Sequence, residues 1–207
     1  MLALTKETSG SINHKMAIKI LKDGNLRFIN NLKVNRNLLK QMNETSQGQH
    51  PFAIILSCID SRTSAELIFD QGLGDIFSCR IAGNIINEDI IGSMEFACKV
   101  AGAKLIMVLG HTNCGAIKGA CDKVEMGNLT NLLRKISPAV DLVKLAEQDF
   151  DAKDIAYIDK VASINVKLKV SEICQKSSIL EQMKAAGEID IIGAMYDVAT
   201  GVVLFDD

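Results

Sequence analysis

This sequence predicts a single α/β domain: a central, mostly parallel β-sheet flanked by helices, with an N-terminal helical arm. Three observations carry that prediction. Short, branched apolar runs at 52–56 and 104–109 are bounded by polar or turn-forming residues, as strands buried on both faces are. Segments of helical periodicity separate such runs, and strands alternating with helices imply a parallel sheet. A length of 207 residues suits one domain able to bury a real core.

The elements follow in order. Residues 12–42 read as helical, with Ser11 as N-cap and Ile12, Met16, Ile20, Leu21 and Phe28 recurring near helical spacing. Gly24 interrupts that pattern, so two helices or one kinked helix are expected. Residues 1–45 form the arm and 46–207 the core, joined by the polar stretch 43–50. Pro51 precedes the central strand at 52–56; a short helix follows at 64–70 and a weaker strand at 76–81. The helix at 89–101 ends with Gly102 at C′, where a left-handed residue closes the last turn. The best strand of the chain is 104–109. Helix is then expected over 116–126 and much of 129–148, broken at Pro138, and over most of 151–186, ending at Gly187. A terminal strand pair at 189–196 and 202–205 surrounds the turn signal Thr200-Gly201. There is no internal repeat or low-complexity segment.

Composition excludes several classes of function. Apolar residues make up 48% and charged residues 23%, with a net charge of −2, so no large basic field exists for nucleic acid or an anionic membrane. No apolar run approaches the roughly 20 residues that span a bilayer. Residues 1–11 lack the basic and apolar regions of a secretory signal. The expected location is therefore the cytoplasm, with six reduced cysteines, a subset of them held by metal.

Two segments carry chemistry: Cys58-Ile59-Asp60-Ser61-Arg62 and His111-Thr112-Asn113-Cys114. Each follows a strand, and ligands of open α/β sheets bind beyond the carboxyl ends of strands. Cys58, His111 and Cys114 form a mixed sulfur and nitrogen set suited to zinc with a fourth position open. Gly110 and Gly115 would let the backbone turn tightly around the second segment. Asp60 is either the fourth ligand or sits just outside, and Arg62 can hold it away in a bidentate fork. A closed structural zinc site and a thiol redox pair are the rival readings; the missing Cys-x-x-Cys hooks weigh against both. Cys79, Cys98, Cys121 and Cys174 have no partner spacing and read as small core residues. The lysines of 160–176 read as a solvated helix face.

Taken together, Cys58-x-Asp60-Ser61-Arg62, Arg80-Ile81-Ala82-Gly83-Asn84 and Gly110-His111-x-x-Cys114-Gly115 resemble the β-class carbonic anhydrases. The likeness extends from Gly24-Asn25-x-Arg27-Phe28 to Tyr196-Asp197-x-x-Thr200-Gly201. The resemblance implies reversible hydration of carbon dioxide to bicarbonate and a proton, through attack of zinc-bound hydroxide. It implies Cys58, His111 and Cys114 as ligands of one Zn2+ per subunit, and Asp60 and Arg62 as the catalytic dyad. Gln49 matches a glutamine facing the substrate pocket. Phe77, Ala82 and Gly83 would help line a small apolar pocket, and Phe96 stands where relatives carry an aromatic that crosses a dimer interface. A homodimer or homotetramer is implied, with N-terminal helices wrapping the partner. Some relatives have an inhibitory bicarbonate site that needs a tryptophan near the first zinc cysteine; this chain has none, and Ile55 stands in that neighbourhood. His14 and His50 are proton-shuttle candidates only by elimination. Two alternatives share the same residues: a hydrolase of carbonyl sulfide or carbon disulfide, and a non-catalytic zinc-binding module.

Overall fold

The chain runs through helices α1 (Lys6–Gly10), α2 (His14–Ile29) and α3 (Leu38–Thr45) before its first strand, β1 (Ala53–Ser57). Then come α4 (Ala65–Ile68), β2 (Ile76–Arg80), a 3-10 turn at Ala82–Asn84, and α5 (Glu88–Glu95), which continues as a π turn at Phe96–Val100. Strand β3 (Leu105–His111) is followed by α6 (Gly115–Cys121), α7 (Gly127–Arg134), α8 (Ser137–Ala146), α9 (Ile155–Lys176) and α10 (Ser178–Ala185). The chain closes on β4 (Asp190–Tyr196) and β5 (Val203–Phe205). This computed structural model describes residues 3–146, 151 and 153–206.

The sheet order is β2-β1-β3-β4-β5. β1 pairs in parallel with β2 and β3, and β3 with β4; only β5 is antiparallel. All residues of β1 and β3 are buried, which explains their unbroken apolar runs. Alternation divides their side chains between two layers. Ile55, Leu105 and Met107 pack with Ala17 and Leu21 of α2 and Phe69 beyond α4. Ile54, Leu56, Ile106 and Val108 pack with Met94 of α5, Val166 and Ile173 of α9, and Leu180 of α10.

Chain direction across the sheet fixes where a ligand can sit. From β1 the chain moves outward to β2, then returns across to β3 on the other side of β1. The carboxyl ends of β1 and β3 therefore flank the switch point, where helices on opposite faces leave a crevice.

Several expectations change. α2 begins at His14 under Asn13, whose side chain accepts the Met16 N–H; Ser11 instead ends α1. The helix runs unbroken through Gly24, which is buried against the Phe69 carbonyl: a Cβ there would lie 1.8 Å from that oxygen. Gly24 marks a close approach rather than a break. The arm is thus α1, α2 and α3, with α2 packed on its own protomer's sheet. α6 stops at Cys121, followed by Lys123 in the left-handed region at φ 54°. Pro138 opens α8 in its first turn, where its missing N–H costs nothing. Ser177 ends α9 and caps α10 through the Leu180 N–H, splitting the expected long helix.

Candidate metal centre

Cys58 is the first residue after β1, His111 the last of β3, and Cys114 the N-cap of α6. Topology alone thus brings three donors to the switch point. Their ligating atoms lie within 4.8 Å of one another, and all three residues are buried. The Cys58 and Cys114 sulfurs are 4.0 Å apart. Two thiolates on one tetrahedral zinc, each about 2.3 Å from it, stand about 3.8 Å apart, so the observed separation fits.

The imidazole is set for the same task. His111 Nδ1 lies 2.9 Å from the Thr112 carbonyl, which can only accept, so Nδ1 carries the proton. Nε2 keeps its lone pair and is buried without a hydrogen-bond partner. An orphaned buried acceptor beside two thiols is costly unless a ligand completes it. Charge leads to the same conclusion. The Cys58 thiol is pushed well down, first by its hydrogen bond with Cys114 and also by the Gly83 N–H, against the cost of burial. Cys114 is pushed up, first by that shared bond, then by burial and the Cys58 charge. The pair shares one proton between its sulfurs, so one thiolate forms readily and the second only when a cation takes that proton's place.

Arg62 settles the position of Asp60. Its backbone N–H and Nε donate to Asp60 Oδ1, each at 2.9 Å, and Nη2 donates to Oδ2 at 2.8 Å. These bonds from Arg62 hold the Asp60 carboxyl far below the usual carboxylate range, burial opposing. Three of about four acceptor positions of the carboxylate are thereby filled. Among the described residues, the metal-competent group contains Cys58, His111 and Cys114 and leaves Asp60 outside.

A scaffold holds the first segment. Arg80 donates through Nε to the Cys58 carbonyl at 3.0 Å and through Nη2 to the Asp60 carbonyl. Thr63 Oγ1 donates to the same two carbonyls at 3.0 and 2.9 Å. On the second segment, the turn between His111 and Cys114 is made by Asn113, at φ 52°, whose N–H donates to Asp159 Oδ1 at 2.7 Å. Gly110 and Gly115 keep negative φ and do not make that turn. Gly110 is needed because a Cβ would lie 2.5 Å from Val166 and 2.7 Å from the Met195 sulfur.

The remaining predicted residues divide. Gly83, at φ 65°, donates its N–H to Cys58 Sγ at 3.4 Å, and Ala82 precedes it. Phe77 is paired with Ile54, well back along β2, and its ring meets Phe96 edge-on at 6.3 Å. Gln49 is exposed and lies before the amino end of β1, the full strand away from Cys58. His50 shares that end, and His14 starts α2. Within one protomer, Gln49, Phe77 and Phe96 do not join the three donors. Sequence reasoning missed Thr63, Asp159 and Asn165. Asn165 had a signal: it interrupts the otherwise largely apolar stripe Ile158, Val161, Ala162, Val166 and Ile173 of α9.

Known proteins share this fold and sequence. Residues 53–203 match the family model described as carbonic anhydrase. The carbonic anhydrase of Mycolicibacterium smegmatis is 33% identical, the alignment covering 92% of each chain. The crystal structure of the b-carbonic anhydrase CafA of Aspergillus fumigatus aligns with a TM-score of 0.71 at 29% identity, covering 80% of each chain. The structure of the beta-carbonic anhydrase CcaA aligns at 0.74 with 25% identity, covering 92% of this chain and 95% of that one. With the family model spanning β1 to β4 and both donor segments, this chain belongs to the β-class carbonic anhydrase family.

Proposed function

We propose that this protein catalyses the reversible hydration of carbon dioxide to bicarbonate and a proton, at one zinc ion per subunit held by Cys58, His111 and Cys114. The observation that carries the reading is the Asp60–Arg62 fork beside three converging donors. A closed structural site has no use for a carboxylate kept off its metal. When bound, zinc supplies a Lewis acid and lowers the pKa of a water in its fourth position, as in the carbonic anhydrases where that effect is best known.

The protein's own groups supply the rest. Asp60 remains ionised across the neutral range, so it accepts hydrogen bonds and donates none. Its one unfilled acceptor position, on Oδ2, orients an O–H donor at the site without taking the proton. Arg62 keeps the carboxylate from turning onto the metal. Carbon dioxide is linear and offers little to hydrogen-bond, so shape and apolar walls place it. Ala82 and Gly83 form part of that wall in this reading, supported by the Gly83 N–H that meets Cys58 Sγ from their shared turn.

In the same reading the assembly is a homodimer or homotetramer, and Gln49, Phe77 and Phe96 reach a substrate pocket across a subunit contact. Support comes from the placement of Gln49 away from its own Cys58 and from the apolar residues exposed along the arm and at Phe96: Leu32, Leu39 and Met42. A cytoplasmic location is part of the proposal, supported by six free cysteines. No described helix is long and apolar enough to cross a membrane. The family match favours this reaction over carbonyl sulfide or carbon disulfide hydrolysis and over a non-catalytic module.

The test is stopped-flow carbon dioxide hydration by zinc-quantified protein. Wild type should be active, whereas Asp60→Ala and Arg62→Ala should keep zinc and lose about 100-fold or more of the rate. Near-normal rates in both variants would remove the dyad. An inactive, fully zinc-loaded wild type would overturn the reaction itself.

A further inference from the structure

The long helix α9 (Ile155–Lys176) touches the candidate site from outside it, through a residue the proposed reaction does not use. Asn165 is 1% exposed in the middle of that helix. Its Nδ2 donates to the Gly83 carbonyl at 3.0 Å. That carbonyl can only accept, so the orientation of the amide is settled. The other face of the same glycine matters more. The Gly83 N–H donates to Cys58 Sγ at 3.4 Å, an ordinary length for a bond to sulfur. The two bonds form one line: helix amide, glycine carbonyl, glycine N–H, cysteine sulfur.

Gly83 cannot hold that direction alone. At φ 65° it is a left-handed residue in a three-residue turn, a conformation with little intrinsic stiffness in glycine. Ile136 and Ala116 crowd the space a Cβ would fill, with Ile136 Cδ1 at 2.6 Å, so a branched residue cannot stiffen the turn. Within the turn the Asn84 N–H donates to the Ile81 carbonyl at 2.9 Å and closes it, while the Gly83 carbonyl itself is held from outside. Asn165 is an expensive anchor, since its Oδ1 is buried without a partner. A leucine would fill the same volume without that cost.

We propose that Asn165 is a positioning residue: through Gly83 it fixes an N–H donor on the Cys58 sulfur and so sets how that thiolate binds metal. The proposal rests on the zinc reading above. A hydrogen bond to a thiolate draws charge from sulfur and orients its lone pairs, and partners one step outside the ligands commonly change metal affinity 10–100-fold when lost.

The experiment compares wild type with Asn165→Leu and Asn165→Asp, with Asn165→Gln to restore an amide and Lys169→Met as a control on the same helix. Lys169 Nζ caps the Lys135 carbonyl at 3.0 Å, on a different loop from Gly83. Two quantities are read: zinc affinity against a competing chelator, and the thiolate-to-metal charge-transfer band of the cobalt-substituted protein. Removing the donor should weaken zinc about 10-fold in Asn165→Leu, and in Asn165→Asp once its carboxyl is ionised and can no longer donate. The cobalt band should move to longer wavelength, because an unbonded thiolate gives up its electrons more easily. Gln should recover part of both effects, and Met at 169 should change stability alone. Wild-type affinity and band position in Asn165→Leu would overturn the proposal, whatever that variant does to stability. Failure of the zinc reading looks different: wild type would then bind cobalt no better than Cys58→Ser.

Discussion

Replacing Gly24 by alanine separates two uses of glycine that have opposite signs. In an ordinary helix interior the change is favourable by about 1 kcal/mol, because alanine loses less backbone entropy. At Gly24 the new Cβ would lie 1.8 Å from Phe69 O and 2.7 Å from Phe69 C. Non-bonded carbon and oxygen stay about 3 Å apart, so α2 and the end of α4 must separate by about 1.2 Å. The obstacle is main chain and has no rotamer to change. Overpacking of this kind costs about 1–3 kcal/mol, and more when backbone must shift. Asn25 adds to it. Its Nδ2 donates to Ile68 O at 3.2 Å and Gly201 O at 2.8 Å, and its Oδ1 accepts the Val203 N–H at 2.9 Å. Loss of one such buried bond costs about 1–3 kcal/mol. Set against the propensity gain, the net destabilisation is about 2–4 kcal/mol, or roughly 5–15 °C in Tm for a domain of this size. Gly92→Ala in α5 is the control: nothing lies within 4 Å of its Cβ, so it should stabilise by about 0.5–1 kcal/mol. Urea and thermal melts at one fixed protein concentration read both variants. A Gly24→Ala protein that melts at or above wild type would refute the close-approach argument.

Asp60→Ala and Arg62→Ala, described above, should lose carbon dioxide hydration with zinc retained; metal content and stopped-flow rate decide it. Cys114→Ser replaces a thiolate by a hydroxyl and should weaken zinc by at least about 100-fold in chelator competition; unchanged affinity would remove Cys114 from the ligand set. Asp70→Asn tests the clamp at the base of the arm. Burial pushes the Asp70 carboxyl up, but Arg27, Arg36 and the Val34 N–H outweigh it and hold it below its ordinary range. A lowered folded pKa stabilises above the unfolded value and loses that contribution as pH falls through the folded one. Wild type should exceed Asp70→Asn by about 3 kcal/mol near pH 7, with the gap closing below about pH 4. Urea midpoints across pH measure it, and a gap that does not vary with pH would refute the ion-pair account.

The division of labour between Arg62 and Arg80 has a simple physical basis. Both arginines face the Cys58–Asp60 segment, but Arg62 binds the carboxylate whereas Arg80 binds the main-chain carbonyls of Cys58 and Asp60 and, at 3.4 Å, the Thr63 hydroxyl. One sets the chemistry of a charged group and the other the path of the backbone. Substituting Arg80 thus disturbs the whole loop, while substituting Arg62 frees a single side chain.

Much of this protein is legible in its sequence because the information is local. The strands at 53–57 and 105–111 announce themselves, since burial on both faces demands continuous apolar residues. The C′ glycines at 102 and 187 are visible because only glycine adopts their positive φ cheaply. The candidate donor residues are visible because metal chemistry demands particular atoms, and these stand just beyond buried strands. Other features depend on what lies opposite a residue, which no local pattern records. Gly24 reads as a helix break until the Phe69 carbonyl is seen beside it. Gly110 reads as a turn until Val166 and Met195 close over it, and the turn itself passes to Asn113. The sulfur-to-sulfur distance and the line from Asn165 to Cys58 join segments up to about a hundred residues apart. Sequence determined the fold class and the donor atoms, whose chemistry belongs to single residues. Tertiary structure decided their spacing, their ionisation and their supports, because those depend on distances between residues that only folding brings together.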